Sequence, residues 1–547
     1  MKFPLILWAV ATAAAQQPAP SFRAESRLVQ ISVVALDRNR HPVTDLKASD
    51  LTVLDSGKPR SIAFFHFDGA PTAEHVQPLP PNTYSNRGEY LPGPPRNITA
   101  LVLDTLNTDP ADFARVRAEV RKYLATIPPQ TRIGIFLLGA QISVLQDFTE
   151  DSEALRKRLA TATAELPTGG ILDVNETVND TVLYLQMMGF DDHNPPPPEL
   201  VQFLSRMIAS DMEANAKVRA NRAYLTLAGL DALSRHLEAV PGRKNIVWVG
   251  SGISSLTVTG TGMGPGGSVN HLEADIVGIS RRVAQRGATL YIVDARGLAA
   301  NMYTTPGAEP MIPTSMRGRT FGRQIENENI SADTAPAMFA MAGVTGGRVF
   351  RTTNDMASGL RQSSEDLLGS YSLAFYTASE PDGKWHPLKL KSNRPGVELL
   401  YREGYASDAP RAQPAVWTDQ EWRTAISSPL GSGAIRLNAH TVDAGAAGLT
   451  LQVQIEPTGI SFYKDRGAMR ARLELCVAEL TVDGKAAFRK ESTDLALDDA
   501  KWQSVQQSGI PYGRTWKPMP TAARVRVIVR DTASGEFGSL DIPLPPR

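Results

Sequence analysis

The sequence predicts an α/β protein: a doubly wound, mainly parallel sheet at the centre, flanking β segments and a C-terminal β-sandwich. Three observations lead there. Between residues 97 and 369, runs that are apolar throughout alternate with stretches of helical spacing. Strands buried on both faces and joined by amphipathic crossovers make a parallel sheet with helices on each side. Residues 22–70, 370–405 and 433–547 carry β patterning instead. Finally, 547 residues exceed what one hydrophobic core supports, so several units are expected.

Taken in order, the first residues have the three parts of a secretory signal. Lys2 starts it, residues 4–10 form a short apolar stretch, and Ala13-Ala14-Ala15 is a small-residue cleavage site before Gln16. Residues 1–15 are therefore read as a signal peptide, and the product as exported, periplasmic or extracellular. The apolar stretch is too short for a permanent span, and no later segment reaches the roughly 18 continuous apolar residues a membrane helix needs.

Residues 22–70 form an N-terminal β region. Strands at 28–36, 51–54 and 62–65 are separated by turns at 37–40 and 55–59. Residues 71–96 hold Pro71, Pro78, Pro80, Pro81, Pro92, Pro94 and Pro95 with little apolar pattern, and read as a linker.

The strand at 98–103 opens the central domain. Phe113, Val116, Val120, Leu124 and Ile127 share one helical stripe. Strands at 133–138 and 142–145 surround Gly139 as a hairpin, Leu155 and Leu159 mark a second helix, and 178–188 a third. After the prolines at 195–198 a long helix runs from about 199 to 237. Strand 245–249, helix 271–286, strand 289–293, a helix near 335–342, strand 348–350 and helix 356–368 complete the domain.

Strands follow at 371–376, 388–391 and 398–401. Segments 27–67 and 370–403 are each short for an independent sheet, and are read as partners in one sandwich. Residues 406–432 read as a second linker, and strands such as 449–455, 471–477, 525–529 and 539–544 build the final sandwich.

Composition narrows the partners. Lys and Arg number 57 and Asp and Glu 57, and no basic block stands out, so no nucleic-acid partner is expected. Cys476 is the only cysteine, which rules out a disulfide within the chain. It lies in an alternating run and reads as a buried strand residue rather than a nucleophile.

The stretch from about 27 to 405 resembles the bacterial proteins called VWFA-related, which contain a von Willebrand factor type A-like domain. The matching phrases are Leu101-Val102-Leu103-Asp104-Thr105-Leu106-Asn107-Thr108, Pro241-Gly242-Arg243-Lys244-Asn245-Ile246-Val247-Trp248 and Tyr291-Ile292-Val293-Asp294-Ala295-Arg296-Gly297. To these add Pro42-Val43-Thr44-Asp45-Leu46, Thr345-Gly346-Gly347-Arg348 and Asp382-Gly383-Lys384-Trp385-His386. The resemblance implies a cation-dependent binding site. An aspartate and two hydroxyls of a D-x-S-x-S loop, a threonine from a second loop and an aspartate from a third hold a divalent cation, and the cation keeps a position open for a partner's carboxylate.

Here Asp104 and Thr108 match the first loop and are the candidate ligands for Mg²⁺ or another divalent cation. Leu106 stands at a hydroxyl position and cannot ligate, and Ser251 stands where the third-loop aspartate is expected. The second-loop threonine falls near Gly169-Gly170-Ile171, with Thr168 or Thr177 as substitutes. A site with so few hard oxygen ligands is depleted, and the alternative is that Asp104 caps its loop by accepting backbone N–H bonds.

Partner recognition is placed on the loops beyond the carboxyl ends of the strands, at Asp104, Asn107, Thr108, Ser251 and Asp294. Other motifs carry less. Gly262-Met263-Gly264-Pro265-Gly266-Gly267 lies about a dozen residues past its strand, too far for a dinucleotide loop. Gly250-Ser251-Gly252 lacks the outer glycine spacing of a nucleophile elbow. The eight histidines are scattered without a zinc pattern. The expectation is thus an exported, non-catalytic module that binds a protein or matrix partner. The rivals are an exported hydrolase with an unrecognised acid/base pair, and a structural component of a surface assembly.

Overall fold

A computed structural model describes residues 27–68, 79–87, 97–127, 131–161, 185, 187–190, 194–240, 242–254, 256–259, 268–296, 334–351, 355–377, 382–407 and 416–544. The signal segment, residues 178–184 of the helix expected at 178–188, Thr168, Thr177 and the glycines from 262 to 267 lie outside the described residues.

Apolar strands buried on both faces need helices above and below, and this is the arrangement at the centre. One mixed sheet has six strands in the order Val349–Phe350, Ala288–Asp294, Arg243–Gly250, Asn97–Asp104, Ile133–Leu138 and Ile142–Thr149. Neighbouring strands run parallel except the last, which returns antiparallel beside Ile133–Leu138. Helices Pro198–Glu238, Glu273–Gln285 and Ala335–Thr345 bury Leu227, Leu230, Ile276, Val283 and Met341 against one face. Pro110–Leu124, Ser152–Thr161 and Met356–Leu368 bury Phe113, Val116, Leu155 and Leu360 against the other. The chain leaves Asn97–Asp104 in one direction along the sheet and returns to its other side with Arg243–Gly250. The order therefore reverses between those two strands, and a crevice belongs at their carboxyl ends.

The N-terminal strands do not form a unit alone. Arg27–Leu36 pairs antiparallel with Ser370–Thr377 and with Glu398–Tyr401, and Ile62–Phe67 lies on the other side of Ser370–Thr377. Leu51–Asp55 pairs with Trp385–Ser392 in a second sheet. Val29, Ile31, Val33, Val53, Phe375 and Leu390 join the two sheets in a common core.

The last unit also has two sheets sharing a core. Leu437–Asp443, Leu449–Ile455 and Ile510–Trp516 belong to one, and Ala468–Thr481, Ala522–Asp531 and Phe537–Pro543 to the other. Leu451, Val453, Leu473, Val525 and Ile542 meet between them. Cys476 is fully buried on the long strand, and burial pushes its thiol up to about 12, so it is inert as a nucleophile.

Two segments read as linkers contain regular structure. Thr83–Ser85, within the proline-rich stretch, is a strand paired with Asn438–His440. It shows no apolar alternation because it sits at a sheet edge, where the Asn86 side chain anchors it by donating to the Ser432 and Ile435 carbonyls. Asp419–Ser427, within 406–432, is a helix opened by a capping box between Thr418 and Glu421.

Candidate functional site at the carboxyl end of the central sheet

The register across three strands brings the candidate residues into one row. Asp294 lies opposite Gly250, and Leu103, just before Asp104, lies opposite Val249. Asp104 and Asp294 thus stand on strands either side of Gly250, about 10 Å apart at normal strand spacing. Gly250 is small because Asp104 leans over it. A β-carbon there would lie 2.5 Å from the Asp104 β-carbon and 2.8 Å from a carboxylate oxygen.

Asp104 is fully buried, and protein donors hold both its oxygens. Oδ1 accepts from the backbone N–H groups of Leu106 and Asn107, each at 2.9 Å. Oδ2 accepts from the Asn107 side-chain amide at 2.9 Å and from the Trp248 indole N–H at 3.1 Å. The second hydrogen of the Asn107 amide reaches Thr226 Oγ1 at 2.8 Å. Thr226 is itself buried in the long helix and donates to the Arg222 carbonyl at 2.9 Å. Burial pushes the Asp104 carboxyl up, while these donors, led by Asn107, favour its charged form. Asp104 in turn supports the charge of Arg222, which burial pulls down.

Thr105 fastens the loop to the next strand, its backbone and side chain both donating to the Leu138 carbonyl at 2.9 and 3.1 Å. Pro110 then begins the helix, where its missing N–H costs nothing. Thr108 is 9% exposed, and its hydroxyl has no hydrogen-bond partner among the described residues.

The far side of the row is an ion-pair network. Asp294 Oδ1 accepts from Arg296 Nε at 3.0 Å, and Oδ2 from Arg296 Nη2 at 2.8 Å and Arg351 Nε at 3.1 Å. Burial opposes the charge on Asp294, but Arg296 and then Arg351 outweigh it and hold the carboxyl below its usual range. Arg296 also donates to Thr334 Oγ1 at 2.8 Å, and Thr334 donates to the Ser251 carbonyl at 3.1 Å. Ser251 is partly exposed and enters by its backbone, with Asp294 tied to it through Arg296 and Thr334.

These residues fit a divalent cation poorly. A cation at Asp104 has to displace the Asn107 amide from between Asp104 and Thr226, and Leu106 and Ser251 bring no carboxylate to replace those contacts. No cluster of three His, Cys, Asp or Glu suited to a metal occurs among the described residues. The residue set read from the chain omitted Thr226, Trp248, Arg296, Thr334 and Arg351. Arg296 was visible, two residues after Asp294. Thr226 was a hydroxyl on the apolar stripe of a helix, a signal that needs its tertiary neighbour to acquire meaning.

No family model matches the chain, and no curated protein matches it. Among solved structures it is similar to an aerotolerance-related membrane protein from Bacteroides fragilis NCTC 9343 with multiple mutations to serines. The identity is 13% over 49% of this chain and 97% of that one, with a TM-score of 0.23. The conserved hypothetical protein BatB from Bacteroides thetaiotaomicron is similar at 12% identity, covering 49% and 95%, with a TM-score of 0.22. The PilB minor pilin from Streptococcus sanguinis is similar at 10%, covering 51% and 61%, with a TM-score of 0.25. Likeness at this level carries no argument about function.

Proposed function

We propose that this protein is an exported, non-catalytic binding module. On this reading its central unit is a doubly wound von Willebrand A-type domain, followed by a C-terminal β-sandwich. Its recognition face is the loop surface at partly exposed Ser251, held in place by buried Asp104 and Asp294 on either side, and that face binds a protein or matrix partner without a divalent cation. The observation that carries the reading is the Asn107 amide, which bridges the Asp104 carboxylate and the Thr226 hydroxyl. The neutral donors on Oδ2, the Asn107 amide and the Trp248 indole N–H, supply inside the protein the stabilisation of Asp104 that a bound cation would otherwise give. The helices on both faces of the sheet, and the shared core of the last two sheets, support the architecture. Among the described residues no helix is long and apolar enough to cross a membrane.

Site-directed cross-linking tests this reading. Cys476 is buried, so Ser251→Cys carries a thiol-reactive photocross-linker at a single addressable position. On the surface of the producing cells, Ser251→Cys should capture a defined partner in EDTA as efficiently as in Mg²⁺. A control cysteine at exposed Lys389, on a different sheet, should not. Capture that disappears in EDTA overturns the cation-free part of the reading. Equal capture from both positions, or none from position 251, overturns the binding face.

A further inference from the structure

At the opposite, amino-terminal end of the central sheet, a cavity of about 550 Å³ lies where the central unit meets both flanking units. Small-molecule sites commonly span ~300–1,000 Å³. The wall comes from the end of helix Pro198–Glu238, the start of strand Arg243–Gly250 and the turn after helix Glu273–Gln285. The facing wall is strand Arg27–Leu36 with residues 402–406, and Arg436 adds the C-terminal unit.

The charges of this wall do not balance. Glu238 is its one carboxylate among the described residues, against Arg243, Lys244, Arg286, Arg402 and Arg436. Three of these cations are accounted for. Arg243 donates to Asn245, Ser32 and Tyr291, at 3.1, 3.0 and 3.2 Å. Arg286 pairs with Asp231 and Glu536, each at 2.8 Å. Arg436 faces Glu456 at 3.9 Å.

Lys244 and Arg402 remain. Lys244 is 6% exposed, and its ammonium, which has three hydrogens to give, donates to the Val240 carbonyl at 3.0 Å. Arg402 donates to the carbonyls of Ala284 at 3.1 Å and Gln30 at 2.7 Å, while its Nε is buried without a partner. Arg402 is half-buried and lines the cavity. Burial pushes Lys244 down to about 8, although Glu238 supports its charge, and pushes Arg402 down to about 10. Closing helix ends explains the bonds to Val240 and Ala284. It leaves the Arg402 Nε without a partner among the described residues, and the one carboxylate of the wall, Glu238, is shared between Lys244, whose charge it supports, and Arg286 at 3.4 Å.

We propose that this cavity binds a small organic anion, with its carboxylate or phosphate group held by Lys244 and Arg402 and its body against Leu28 and Ala239. The site is independent of the recognition face at the other end of the sheet. Calorimetric titration of the intact protein with citrate and, separately, with inorganic phosphate at constant ionic strength tests it. At least one should bind with one-to-one stoichiometry. Lys244→Met and Arg402→Gln should each weaken that binding by about tenfold or more, about 1.4 kcal/mol. Lys389→Gln, an exposed control, should leave it unchanged. Binding of citrate alone assigns the carboxylate class, and binding of phosphate alone the phosphoryl class. The two variants lie on different elements, so Arg402→Gln carries the test if Lys244→Met fails to fold. Absence of binding by both probes, or equal weakening by Lys389→Gln, overturns the proposal.

Discussion

The Asn107 amide stands between Asp104 and Thr226, and its orientation is set by its neighbours. The carboxylate accepts only, so the amide must turn its nitrogen toward Asp104. Replacing that nitrogen by oxygen reverses the electrostatics. Asn107→Asp faces one carboxylate with another beside a buried hydroxyl, a set of hard oxygen ligands suited to Mg²⁺. In EDTA the variant should lose about 1–3 kcal/mol of stability, the usual range for a buried polar group that loses its partner. Millimolar Mg²⁺ should restore much of the loss in Asn107→Asp and leave the parent unchanged. Urea unfolding in the two conditions measures this, and an Asn107→Asp variant indifferent to Mg²⁺ would count against the geometry described for Asp104. Asp104 itself was legible, because a carboxylate closing a fully apolar strand marks the loop beyond it. Its partners Thr226 and Trp248 were not, since they lie 122 and 144 positions away (226 − 104 and 248 − 104).

At the level of elements, periodicity was most informative where burial was complete. The stripe Phe113, Val116, Val120 and Leu124 is the buried face of Pro110–Leu124, and the apolar run before Asp104 is buried along the strand. Periodicity failed where polar contacts do the positioning. Thr418-Asp419-Gln420-Glu421 is a capping-box pattern, and it opens the helix Asp419–Ser427 inside a stretch that reads as linker. The Thr418 hydroxyl accepts from the Glu421 N–H at 3.3 Å, and Glu421 accepts in return from the Thr418 N–H at 2.6 Å. This helix buries Trp422 and Ile426 against Cys476 and Ile528 of the long sheet. Thr418→Ala should therefore cost about 0.5–2 kcal/mol, the range for a lost N-cap. The midpoint of urea unfolding of the C-terminal unit, followed by tryptophan fluorescence, reports it. An unchanged midpoint means that tertiary packing alone holds the helix.

For the whole molecule, the chain leaves its first β unit, builds the central sheet, and returns more than 300 residues later to finish that unit. Ser370–Thr377 has Arg27–Leu36 on one side and Ile62–Phe67 on the other. Deleting residues 27–67 removes both neighbours and half of the core that holds Tyr371 and Phe375. Amide protection over 370–377 and 388–392 should collapse in that variant while the strand Asn97–Asp104 stays protected, as hydrogen exchange can show. Protection kept at 370–377 would mean that the later strands form a unit without the earlier ones. Side-chain links reinforce the closure: Arg243 reaches Ser32 at 3.0 Å, and Arg286 ties the central helices to Glu536 of the last unit.

By itself the sequence determined the local grammar of the central unit: which runs are buried on both faces, which stretches are helical, and that an acidic loop follows the first central strand. These depend on periods of two and 3.6 residues, which neighbouring residues reveal. Tertiary structure alone decided that Thr226 and Trp248 close the Asp104 site and that Arg351 joins Arg296 in neutralising Asp294. It also set Lys244 and Arg402 around one cavity whose single carboxylate is Glu238. Those outcomes depend on distances between residues far apart in the chain, and on burial that strengthens the interactions between the charges it encloses, so no local pattern records them.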